Sequence, residues 1–160
     1  MSRVASANPP PRHWAVAALA GAYGVIMPTA FAFAGWRVVE TRAMMAKLVE
    51  VAPDGGADPV AAAIAAGTSA LVGVLLIGSV FGLPVGLLLA GLMAVLEQRV
   101  AAARSLGAWL AGALVAAAPL ALLASLLFGA PLAALPFVAF ALIGAAIAWS
   151  VRHRPFRGVA

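Results

Sequence analysis

Apolar runs alternate with short polar breaks along the chain, and the length of each run limits what it can become. Trp14 to Trp36 is an apolar run of 23 residues, and Val60 to Leu96 continues for 37 without one charged side chain. Ser105 to Phe128 and Leu132 to Val151 are two further runs. About 20 apolar helical residues cross a ~30 Å hydrocarbon core at 1.5 Å per residue. The pattern therefore predicts an all-α membrane protein with four transmembrane helices, at about residues 14–36, 76–96, 105–128 and 132–151.

The polar breaks refine this picture. Residues 37–52 mix Arg37, Glu40, Arg42, Lys47 and Glu50 with apolar side chains and contain no Gly or Pro, so helix continues through them. Pro53-Asp54-Gly55-Gly56-Ala57-Asp58-Pro59 is the strongest turn signal in the chain. Asp58 suits an N-cap and Pro59 the first helical position after it. Two helices of about 40 residues result, His13–Ala52 and Pro59–Gln98, each roughly 60 Å long and so about twice the hydrocarbon thickness. Two long, kinked helices are thus expected to form an extended N-terminal hairpin, with residues 37–75 outside the membrane or along its interface. A shorter C-terminal helical hairpin follows, turned at Gly129-Ala130-Pro131.

Two rival readings fit parts of the pattern. Cutting the second helix at Phe81-Gly82-Leu83-Pro84 gives five spans, but leaves a second piece short for a full crossing. The first run, with Arg3 and Arg12 before it and Ala32-Phe33-Ala34 near its end, also resembles a secretory signal. We read it as a retained first helix. Residues 1–12 then form a Pro-rich cytoplasmic lead, and 13–160 a single four-helix transmembrane domain.

Small residues mark where helices meet. Gly78, Gly82, Gly86, Ala90 and Ala94 recur every fourth position, leaving a groove in which another backbone can approach closely, as helix association in lipid requires. Ala108, Gly112 and Ala116 repeat the spacing in the third span. Pro28, Pro84 and Pro119 place one kink in each of the first three helices. The stretch from Val60 to Ala66 is apolar on all sides, and a helix of that kind is normally buried all round. Residues 37–52 cannot cover it alone, which predicts a partner surface at Val60, Ile64, Gly67 and Leu71.

Composition agrees with lipid as the solvent, since 65% hydrophobic against 9% charged residues lies outside the soluble range. The absence of cysteine excludes disulfides and thiolate chemistry. His13 and His153 lie beyond the ends of the apolar runs, so no haem can hang between two helix-borne histidines. No cofactor or metal-ligand set is indicated. With four spans, Arg3, Arg12, Arg99, Arg104, Arg152, Arg154 and Arg157 share one side, and Arg37, Arg42 and Lys47 the other. The positive-inside rule puts both termini in the cytoplasm of a bacterium, the chain being a multi-pass protein of the inner membrane. A five-span chain with its N-terminus outside satisfies the same rule, so charge leaves both topologies open. Trp14, Trp109 and Trp149 would anchor the inner interface and Trp36 the outer one.

Chemistry-bearing side chains are few. Arg12, Arg99, Arg104, Arg152, Arg154 and Arg157 are expected at anionic lipid headgroups. Glu97 is the only acid on the inner side, and two readings compete for it. It is a candidate proton or cation site, or it is paired with Arg99, Arg104 or a C-terminal arginine near water. Thr29, Thr68, Ser69, Ser79, Ser105, Ser125 and Ser150 are scattered, with no base close in sequence to make a nucleophile. Tyr23 is expected to pack. These readings converge on a non-enzymatic accessory, structural or assembly subunit of a larger membrane complex, a respiratory or photosynthetic one being one host, with other membrane subunits and anionic lipids as partners. Neither nucleic acid nor a small-molecule substrate is indicated. The alternative is a small-solute channel or transport component formed by oligomerisation through the Gly78/Gly82/Gly86 stripe.

Overall fold

A computed structural model describes residues 13–51, 58–129, 132 and 135–153, and every element among them is helical. Helix α1 is Trp14–Val51 and α2 is Pro59–Ile77; a π-helical turn, Gly78–Gly82, joins α2 directly to α3, Leu83–Arg99. A 3-10 turn, Ala101–Arg104, precedes α4, Leu106–Phe128, and α5 is Leu135–His153. Among the described residues, four stretches are long and apolar enough to cross a membrane: Trp14–Glu50, Pro59–Arg99, Leu106–Leu123 and Leu135–His153. The Pro-rich lead, residues 52–57 of the turn and Pro131 lie outside the described residues.

Local chemistry sets the boundaries. Asp58 is extended, and its carboxylate accepts from the Val60 amide at 2.8 Å, with Pro59 in the first turn, as the cap signal predicted. Ser105 caps α4 through the Ala108 amide at 3.2 Å. Gly129 closes α4 with φ 62°, a left-handed conformation open to glycine at no steric cost. The last helix begins at Leu135, three residues later than the hydropathy pattern suggested, and runs on to His153.

The second long run is not cut at residues 81–84. Instead of a turn the chain makes a π segment, and Pro84 explains it. A proline ring collides with the carbonyl four residues back and supplies no N–H to it. Widening the preceding turn to i→i+5 bonds moves that carbonyl aside while the helix continues. The wide turn also affects the glycine stripe. In an α-helix a spacing of four drifts by about 40° per step; in the wider turn it drifts less, and Gly78 and Gly82 both face Ile26. A Cβ on Gly78 would lie 3.0 Å from Ile26, and one on Gly82 would lie 3.6 Å from it.

The chain divides into two compact units. In the unit formed by Ala22–Pro84, Gly67 lies directly against Val38 and beside the Ala34 carbonyl, whereas Gly78 meets Ile26. Contacts thus run in opposite order along α1 and α2. Gly67, expected on a free partner surface, is therefore a contact within the chain, because the missing side chain is what admits Val38. The other unit joins the residues up to Gly21 with those from Val85 onward. Its core contains Ala17, Ala18, Ala90, Met93, Trp109 and Ala148, and α4 packs along α5.

The size distribution is inverted relative to a protein folded in water. Among the described residues the buried apolar core is alanine except for Ile26, Met93 and Trp109, while the large apolar side chains point outward. Leu88 is 75% exposed, Val115 74% and Leu126 72%. In water the driving force would come from burying those side chains. Small residues inside and large ones outside make sense where the surroundings are as apolar as leucine, and where cohesion comes from close backbone approach.

Candidate functional site

The polar chemistry of the larger unit is gathered at one end, where α3 and α5 finish and α4 starts. On α3, Glu97 continues the buried face of Ala90, Met93 and Ala94, at the helical spacings that keep a residue on one side. On α5, Trp149, Arg152 and His153 stand three and four residues apart and so share a face. Trp109 lies in the first turn of α4, four residues after its Ser105 cap. The 3-10 turn between α3 and α4 buries Ala103 and brings the Arg104 carbonyl to Trp149.

Glu97 is only 5% exposed, and both of its oxygens are engaged. Oε1 accepts from the Trp109 indole Nε1 at 3.0 Å. Oε2 accepts from Arg152 Nε at 2.7 Å and lies 2.7 Å from the same guanidinium's second nitrogen. His153 Nε2 stands 3.1 Å from Oε1, but off the hydrogen-bond direction, so it makes no hydrogen bond there. The other ring nitrogen, Nδ1, is 3.0 Å from the Trp149 carbonyl oxygen. The Trp149 indole donates to the Arg104 carbonyl at 2.8 Å. The imidazole stands edge-on to Trp109 and leans on Trp149, with ring centroids 6.1 and 5.4 Å away.

These contacts overturn three expectations. Arg152, placed by sequence among the headgroup cations, is buried against Glu97 and engaged there. Trp109, read as an interfacial anchor, is fully buried. Glu97 is paired with a C-terminal arginine, but away from water instead of at an exposed helix end. The cause is common to all three: each sits on the inward face of its helix at the level where the helices converge. A buried pair of this kind contributes little net stability, because desolvation offsets attraction. What it does is join the last turns of α3 and α5 to the first turn of α4 through one carboxylate.

The remaining candidates are dispersed. Arg99 and Arg104 are exposed; Arg12, Arg154 and Arg157 lie outside the described residues. Val60 and Ile64 are exposed and Leu71 is half-buried. Ala90 and Ala94 are buried and Gly86 is half-buried. The hydroxyls of Thr29, Thr68, Ser69 and Ser125 bond to carbonyls of their own helices, and Ser105 serves as a cap. Among the described residues, no three His, Asp or Glu side chains come together. The Ala108, Gly112, Ala116 stripe forms one wall of an open apolar groove of about 560 Å³ between α3 and α4, with Leu89 and Met93 opposite.

One helix contact went unread in the sequence. A Cβ on Gly21 would lie 2.5 Å from the Gly144 carbonyl oxygen and 3.0 Å from Ala148 Cβ. The backbones of α1 and α5 therefore nearly touch. Ala17 with Gly21, and Gly144 with Ala148, are each small pairs four apart, so the signal was there. It is confined to two short fragments, each a single pair, whereas the Gly78 to Ala94 stripe repeats five times. No family model, curated protein or solved structure matches this chain.

Proposed function

We propose that this protein is a non-catalytic, four-span inner-membrane protein that acts by packing, as an accessory or assembly subunit of a larger membrane complex. The observation that carries the reading is the inverted size distribution. The interior is filled by alanine, and large apolar side chains are presented outward along helices on both units, including Val60, Ile64, Val72 and Leu76 of α2. The one buried acid among the described residues is engaged by Arg152 and Trp109, an arrangement that favours a structural bond over a reaction centre. Seven arginines on the side of the termini favour a cytoplasmic location for both ends, and those other than the buried Arg152 favour contact with anionic lipids there. On this reading α1 and α2 form an extended hairpin whose residues 37–75 stand at or beyond the outer interface.

A pore built around Gly78 and Gly82 is less favoured, because both glycines face Ile26 of the same chain. Purification of the tagged protein in mild detergent tests the proposal. Stoichiometric co-purification of unrelated membrane subunits is expected, and a pure homo-oligomer sinks it. Thiol labelling of Ala43→Cys and Ala61→Cys in whole cells tests the placement of residues 37–75. Both positions are expected to react with a membrane-impermeant reagent, and protection of both would place them in lipid or on the other side.

A further inference from the structure

The apolar groove between α3 and α4 ends beside two exposed arginines. On α3 it is lined by positions 85, 88, 89, 92, 93 and 96, a single helical stripe whose next position is Arg99. Ala103 of the 3-10 turn lines the same end, and Arg104 follows it directly. Five acids occur in the chain, and of these only Glu97 belongs to the unit that contains the groove. Glu97 is buried and held by Arg152 and Trp109. Among the described residues, the side chains of Arg99 and Arg104 enter no ion pair and no hydrogen bond. Their anion has to come from outside the unit.

The shape of the groove selects a chain over a helix. Every lining side chain is apolar. The walls meet where Gly112 faces Leu89 and Met93, and the large side chains of Leu88 and Val115 project outward from the rims. A second helix, about 10 Å across, approaches closely in lipid only over small residues, so those rims hold it off. A lipid tail is one methylene wide and passes between them. From Val85 to Leu96 the groove follows three turns of α3, about 16 Å, close to the ~15 Å that one leaflet contributes to a ~30 Å hydrocarbon core. We propose that the groove binds an anionic phospholipid from the leaflet on the side of the termini, one acyl chain lying between α3 and α4 and the phosphate at Arg99 and Arg104. Guanidinium groups suit that end, because their forked donors match phosphate oxygens. The inference rests on reading this chain as a membrane protein with its arginines at headgroup level, and not on its having partner subunits.

The full-length protein is reconstituted in nanodiscs of equal parts phosphatidylglycerol and phosphatidylcholine with matched acyl chains, and the lipids it retains on release are counted by native mass spectrometry. One retained lipid per chain is expected, with phosphatidylglycerol favoured by about 30-fold, as two arginines near an anionic headgroup supply. Arg99→Gln/Arg104→Gln should remove that preference. Ala111→Phe, which puts a ring into the groove from an exposed lining position, should lose the lipid; Ala118→Phe, exposed on the same helix outside the groove, should keep it. No preference in the unmodified protein overturns the proposal. So does a preference that survives removal of both arginines, or equal retention by the two phenylalanine variants. A dimer without lipid would seat a second copy in the groove and overturns it too. Failure to enter nanodiscs would sink the membrane reading along with the lipid site, whereas entry without selectivity sinks the lipid site alone. Should Ala111→Phe fail to fold, the unmodified protein and the arginine variant decide.

Discussion

Replacing Gly21 by alanine is a sharp test of the close-packed α1/α5 contact. The added Cβ would stand 2.5 Å from the Gly144 carbonyl oxygen and 3.0 Å from Ala148 Cβ, where ordinary contact begins at 3.4 Å. The first neighbour is backbone and cannot rotate away, so the two helices must part by about 1 Å, a gap that forfeits a quarter to a half of each dispersion contact across it. Overpacking of this kind costs about 1–3 kcal/mol. Removing a glycine from a helix returns up to about 1 kcal/mol. Gly35→Ala isolates the second effect, because nothing lies within 4 Å of a Cβ at that position. The two variants should therefore differ by about 2 kcal/mol, with Gly21→Ala the less stable. Reversible unfolding in mixed micelles, followed by the far-ultraviolet helix signal, measures the difference. Equal stability of the two variants would refute the close contact.

Three further outcomes follow from the same geometry. Arg152→Ala strands a buried carboxylate and should cost about 3–5 kcal/mol in the same assay; Glu97→Gln/Arg152→Met, which removes both charges, should recover much of that loss. Trp109→Phe keeps the ring volume but deletes the indole donor to Glu97, so a loss of about 1.5–3 kcal/mol is expected, with no change in oligomeric state on size exclusion. Deleting Val80 takes out the residue by which the π turn exceeds an α turn. It should be tolerated far better than deletion of Leu88 in the regular part of α3, as read by the yield of folded protein.

Helix number and extent were legible because hydropathy in lipid is read one helix at a time. The four runs became four helical stretches, and the Asp58, Ser105 and Gly129 signals set ends where single side chains or a single φ decide them. What a run does not show is which of its faces meets which neighbour. Glu97, Arg152 and Trp109 were each visible as unusual residues at run ends, yet their meeting depends on where the last turn of α5 lies against α3 and α4. Spacing of three and four among Trp149, Arg152 and His153 was available as a clue that one face was polar. The π turn was half legible: Pro84 signalled a fault in the helix, but a kink, a break and a widened turn share that signal. Gly67 was misassigned because an alanine-coated helix shows no preferred side until a bulky neighbour such as Val38 selects one.

The bonds that tie helix to helix around Glu97 all lie where α4 begins and α5 ends. At the opposite end of that pair, α4 closes on Gly129 and the chain itself enters α5 at Leu135. The covalent connection thus holds one end of the pair and the side-chain bonds hold the other, so that on refolding the ionic clasp serves as the check that the helices have met in the right register.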